Sequence, residues 1–129
     1  MTRGIQNITK FIGNFGVKNL KLRGNVETYV TKIFEIKDVV SVLFVRMKKD
    51  GHSPNHTHKN KTVLIPLKGS GTVTGDVTKR IGKGDVFFIA ENQVHGLIDV
   101  TSDFCFLSIC IGGRIVTDKV GDKDDFTLK

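Results

Sequence analysis

The sequence predicts an all-β domain, a sandwich or barrel of short strands. Its apolar runs are short and rich in Val, Ile, Phe and Thr, the residue types that fit a pleated, half-buried surface. Turn clusters interrupt them every six to twelve residues. Gly is frequent at 14 residues and Pro scarce at 2, so the turns are punctuated by Gly, and few residues strip a donor from a ladder. With 129 residues the chain supports one core and one domain.

Taken in order, residues 1–25 read as an N-terminal arm or short helix. Ile5, Ile8, Ile12 and Phe15 recur at three to four residues, while Gly13 and Gly16 weaken the helix. Residues 26–111 hold the strands. Val26–Ile36 alternates in part, and Lys37-Asp38 is a tight turn. Val39–Met47 is a nearly unbroken apolar run, a strand buried on both faces or at a subunit contact, with Arg46 near its end. Lys48-Lys49-Asp50-Gly51 predicts a turn. The strand Thr62–Leu67 contains Pro66, which predicts an edge or a bulge. Thr72–Thr74 and Val77–Ile81 flank the hairpin signal Gly75-Asp76. Val86–Ala90, Leu97–Val100 and Phe104–Ile111 complete the strands, and residues 112–129 read as a polar, frayed tail.

Composition narrows the function classes. There is no apolar run of 18 residues, so no membrane span is predicted. The first residues lack a signal peptide's apolar core, so a cytoplasmic protein is expected. Cys105 and Cys110 lie five apart in one strand and face opposite ways, so they are expected as two reduced, buried thiols. The net charge is +7, and the first 26 residues carry Arg3, Lys10, Lys18, Lys21 and Arg23 with no acid. These basic residues are dispersed and come without an RNA- or DNA-binding signature, which argues for a solvated basic surface over nucleic-acid binding.

The chemistry concentrates in Gly51–His58. On a strand, His56 and His58 share a face and can grip one metal ion from one side. His95 follows 37 residues later at the end of another apolar run. The three are expected to converge on one metal inside the barrel. His52 lies beside them as a loop residue. Glu91 reads either as a general acid or base at the mouth or as a solvated carboxylate, and Arg46 either as a cap facing an anionic ligand or as a surface arginine.

These residues resemble the two motifs of the cupin superfamily. The first family motif runs Gly, five residues, His-x-His, three or four residues, Glu, six residues, Gly. Here Gly51 precedes His56 by four residues, His56-Thr57-His58 matches, Thr62 stands at the Glu position, and Gly69 closes the motif. The second is matched by Gly84-Asp85 and His95, with Ala90, Asn92 and Asp99 where the family has Pro, Gly and Asn. Glu91–Gly96 with Phe104–Leu107 looks most like small single-domain prokaryotic cupins.

The resemblance implies a jelly-roll β-barrel, commonly dimeric, whose metal is held by His56, His58 and His95. Thr62 removes the anionic ligand and leaves three neutral nitrogens, a set that thiol dioxygenases of this superfamily use for iron and that Zn²⁺ also accepts. The expected cofactor is one divalent transition metal, Mn, Fe, Ni or Zn, with Thr62 near its shell.

The leading functional expectation is a metal-dependent enzyme on a small anionic or oxygenated molecule, with Arg46 and Lys61 favouring an anion and dioxygenase-type chemistry ahead of isomerisation. The alternatives are a non-catalytic sensing cupin and a metal-free barrel serving as a dimeric scaffold. The surplus of apolar residues in Val39–Val45 and the N-terminal arm predicts a homodimer through sheet-to-sheet packing.

Overall fold

A computed structural model describes residues 19–20, 24–112 and 127–128. Among them there are ten strands and no helix: β1 (Asn19–Leu20), β2 (Val26–Ile36), β3 (Val40–Thr57), β4 (Lys61–Lys68), β5 (Ser70–Gly75), β6 (Lys79–Gly82), β7 (Phe87–Ile89), β8 (His95–Ile98), β9 (Asp103–Ile111) and β10 (Thr127–Leu128). All pairings are antiparallel. One sheet runs β1-β2-β3-β9-β4-β7 and the other β6-β5-β8-β3-β10, so β3 belongs to both and the two close into a nearly complete jelly-roll barrel.

The crossing of β3 between the sheets is where the sequence expectation fails. Lys48-Lys49-Asp50-Gly51 does not turn the chain. The strand continues, with Asp50 at φ 65°, a β2–β3 register shift across the segment between Met47 and His52, and a β3–β8 shift after it between Ser53 and His56. Residues that favour turns here make an irregularity that bends one 18-residue strand from one sheet into the other. Gly51 is buried there, and a Cβ would lie 2.8 Å from the Lys48 carbonyl oxygen.

Alternation along the strands sorts the side chains into two faces. Leu43, Val45, Met47, Leu64, Phe104 and Phe106 point inward and join Val30, Val73, Ile81 and Ile89 in the main core. The opposite face buries Phe44 and Cys105 against Leu67 and Leu107. The two cysteines are unbridged and on opposite faces: Cys110 in the main core, Cys105 in the outer cluster. Pro66 sits where β7 no longer covers β4, since β7 pairs only with Thr62–Leu64, and the β4–β9 register slips between Pro66 and Lys68. Edge and bulge coincide there.

Of the expected tail, residues 113–126 and 129 fall outside the described residues. Thr127 and Leu128 pair with Thr57 and His56 of β3. Apart from β1, which pairs with Val30 and Thr31, the expected arm or helix in residues 1–25 falls largely outside the described residues.

Candidate metal centre

Two strand ends bring the imidazoles together. His56 on β3 is the direct cross-strand partner of His95 on β8, with ring centroids 4.2 Å apart. His58, just past β3, packs at 4.6 Å from His95 and 5.7 Å from His56. Gly96 allows the close approach of β8 to β3, because a Cβ there would lie 2.7 Å from Asn55 Oδ1 and 2.8 Å from the Ser53 carbonyl oxygen. One candidate ligand nitrogen from each ring falls within 4.8 Å of the others, a span that one ion can bridge.

Each ring is oriented by a carbonyl two residues away. Nδ1 of His56 meets Pro54 O at 2.6 Å, Nδ1 of His58 meets Asn60 O at 3.1 Å, and Nδ1 of His95 meets Gln93 O at 2.8 Å. A carbonyl accepts only, so Nδ1 must donate, and the ligand electron pair of each neutral ring resides on Nε2.

Burial pushes the His56 ring down to about 3, helped by the neighbouring His95 ring. Burial likewise pushes His95 down to about 4, against the opposing hydrogen bond to Gln93. At neutral pH both are therefore uncharged donors for which protons do not compete. The donor set fits a divalent transition metal of the borderline kind.

The histidines line a cavity of about 90 Å³. Its walls are mostly apolar, with Leu43, Val45, Met47, Leu64, Val73, Ile89, Leu97 and Phe106, and the half-buried Asn25, Thr28 and His58 also contribute. No Asp, Glu, Lys or Arg lines it among the described residues. The β4–β9 wall adds a polar strip. Thr62 Oγ1 donates to Asn60 Oδ1 at 3.1 Å and approaches Cys110 Sγ at 3.8 Å, and Cys110 Sγ lies 3.6 Å from Ser108 Oγ. Burial pushes the Cys110 thiol up, so it stays protonated.

The other sequence candidates scatter. Thr62 lines the cavity, as its place in the motif suggests, with its hydroxyl engaged by Asn60. Arg46 does not face the cavity. It projects from the opposite face of β3 to Val45 and Met47, and its guanidinium holds Asp103 at 2.8 and 3.2 Å, with Lys68 on the same carboxylate at 2.9 Å. Of the two readings of Arg46, the surface arginine is the one this placement fits, with the guanidinium paired on the barrel exterior and absent from the cavity wall.

Lys61 and Glu91 are exposed and line no part of the cavity. The Glu91-Asn92 turn meets the site through its backbone, with Asn92 N donating to His58 O at 2.8 Å. Asn92 stands at φ 60°, a conformation Asn tolerates better than most residues, which explains how it replaces the motif glycine. His52 is exposed and outside the cluster. Sequence reasoning missed Asn25, Asn60 and Ser108. The inward parity of Phe104, Phe106, Ser108 and Cys110 was the available signal for Ser108.

Comparison with known proteins agrees with this geometry. Among curated proteins none matches the chain. Among solved structures, the polyketide cyclase RemF from Streptomyces resistomycificus superposes with a TM-score of 0.66 at 24% identity, over 84% of this chain and 83% of that one. The DMSP lyase DddQ from Ruegeria pomeroyi gives 0.70 at 16% identity, over 88% and 61%. KdgF from Halomonas gives 0.67 at 14%, over 78% and 93%. These identities establish likeness of fold. The sequence profile described as a cupin domain matches residues 43–111, more than half of the chain and including all three clustered histidines. The protein belongs to the cupin domain family.

Proposed function

We propose that His56, His58 and His95 hold one divalent transition metal, Mn, Fe, Ni or Zn, and that the protein is a metal-dependent enzyme acting on a small, uncharged, oxygen-bearing molecule. The observation that carries this reading is the convergence of three carbonyl-oriented imidazoles, two of them held neutral by burial, on the wall of a cavity without charged side chains. When bound, the metal supplies Lewis acidity and, for iron or manganese, redox chemistry with dioxygen. The protein's part is to hold the three rings in one tautomer, to exclude charge from the walls, and to seat an apolar body against Leu43, Val45, Leu64 and Phe106.

Dioxygenase-type chemistry stands ahead of isomerisation. Moving a proton between two carbons calls for a protein acid or base, and the walls offer no carboxylate or lysine, only the protonated Cys110 thiol. The cyclase and lyase among the structural neighbours support a catalytic role for a barrel of this shape. The same lack of acid–base groups favours a second reading, a ligand-sensing cupin without turnover.

We further propose a homodimer built on the outer face of the β2–β3–β9–β4–β7 sheet. Phe34, Val42, Ile109, Val63 and Phe88 form one in-register apolar row across its five strands, with Phe34 50% and Phe88 54% exposed. The unbridged thiols agree with a cytoplasmic location.

Elemental analysis after incubation with each of the four ions, followed by oxygen-uptake assays with neutral hydroxyketones and β-diketones, tests the enzyme reading. One ion per chain, lost in His56→Ala, with turnover is expected. Bound metal without turnover favours the sensor, and no metal in the wild-type protein leaves only the metal-free scaffold.

A further inference from the structure

Ser108 stands out among the buried polar groups. It is only 8% exposed, lines the cavity, and lies in β9 between inward-facing Phe106 and Cys110. Among the described residues its hydroxyl meets one polar neighbour, the Cys110 sulfur at 3.6 Å. Thiol sulfur is a weak partner in either direction. Thr62, by contrast, donates to an amide oxygen at 3.1 Å. A buried hydroxyl left with sulfur alone is destabilising in the empty protein, and buried polar groups normally find an oxygen or nitrogen partner.

Its place on the wall gives that hydroxyl a direction. The polar strip starts beside the imidazoles, where Asn60 O accepts from His58 and Asn60 Oδ1 accepts from Thr62, and it ends at Ser108. Ser108 is two residues, roughly 7 Å, along β9 from Cys110. Its cross-strand neighbours are Leu43 and Leu64, so apolar surface surrounds it.

We propose that Ser108 is a specificity-determining residue that binds a second polar atom of the substrate. The substrate is then a small bifunctional molecule: an oxygen donor for the three-imidazole end, a short apolar middle, and a hydroxyl or carbonyl group at Ser108. This rests on the metal-site reading above and adds the chemistry of the far end.

The probes are two near-isosteric chelators, 3-hydroxypropanohydroxamic acid and butanohydroxamic acid, which are neutral in solution at pH 7, bind a metal as the hydroxamate with release of one proton to the buffer, and differ only in a terminal hydroxyl against a methyl. Calorimetry on protein loaded with whichever of the four ions it takes up is expected to show the hydroxylated probe binding about tenfold more tightly. Ser108→Ala is expected to erase that preference with metal content unchanged. The metal-free Ser108→Ala protein is expected to melt no lower than wild type, since it loses an unsatisfied group. A loaded wild-type protein that binds the two probes equally, or binds neither, overturns this inference alone. A preference that survives in Ser108→Ala, or a lowered melting temperature of the metal-free variant, also overturns it. Protein that takes up no metal overturns both the inference and the site reading.

Discussion

The two faces of the β3–β9–β4 sheet are built from alternate residues of the same strands and have opposite characters. Inside, Leu43, Val45, Leu64 and Phe106 wall a cavity without charged side chains whose polar groups include the histidines and the strip from Asn60 to Ser108. Outside, Arg46 and Lys68 share the Asp103 carboxylate at one rim, beside the apolar row from Phe34 to Phe88. Cys110 and Cys105 show the same division on one strand. Charge has been placed where water screens it, and the interior holds only groups that can be neutral. A charged substrate would have to enter a space where no counter-charge from the walls awaits it.

Reversing the faces is the strongest way to break this contrast. Val45→Lys puts a charge among buried wall residues and is expected to cost about 3–5 kcal/mol, enough to unfold most of the protein. Thr31→Lys, cross-strand from Phe44 on the half-buried outer face and outside the apolar row, is expected to cost under about 1 kcal/mol by denaturant titration. Equal losses would mean that the two faces do not differ as described.

Acid titration of the metal-free protein probes the interior without mutation. His56 and His95 bind protons near 3 and 4 in the fold, against 6.5 for an unperturbed ring. Between those values the unfolded chain holds more protons, so stability must fall as pH drops from about 6.5 toward 4, approaching about 1.4 kcal/mol per pH unit for each ring. Bound metal is expected to raise the whole curve without flattening the decline, because a metal-held ring binds no proton in the fold, as the metal-free rings bind none above about pH 4; thermal melts across the range with and without metal read the difference.

The outer face predicts association. Phe34→Lys with Phe88→Lys is expected to halve the mass seen by light scattering at micromolar concentration while leaving metal content unchanged. The smallest effect is at the rim. The hydrogen bond from Arg46, helped by Lys68, pulls the Asp103 carboxyl down to about 2. Its contribution is present above the unfolded value near 3.9 and is lost as pH falls from there toward 2. Asp103→Asn is therefore expected to cost about 0.5–1 kcal/mol at pH 7 and almost nothing at pH 2.

What was legible in the chain was what repeats or holds a fixed phase. His56 and His58 share a face by strand parity, and His95 and Gly69 fall in register with them. Gly69 adopts φ 76°, and a Cβ there would meet Thr101 Oγ1 and, at 2.6 Å, Asp103 O, so the motif glycine has a steric cause. Long-range pairings were not legible. Arg46 and Asp103 are 57 residues apart, and nothing local distinguishes a matched arginine from a ligand-seeking one. Lys48–Gly51 has the composition of a turn, and only the pairing of β3 with both β2 and β8 converts it to a bend within a strand. Two residues, Thr127 and Leu128, are too few to show any periodicity before they pair with Thr57 and His56. Ser108 was visible only as a parity position, because its meaning depends on which atoms surround its hydroxyl.

The most direct test of the central claim is anomalous diffraction from crystals of the metal-incubated protein, recorded on both sides of the metal's absorption edge. One peak per chain within bonding distance of Nε2 of His56, His58 and His95 is the predicted result. No peak at that point, or a peak held by other residues such as His52, would contradict it.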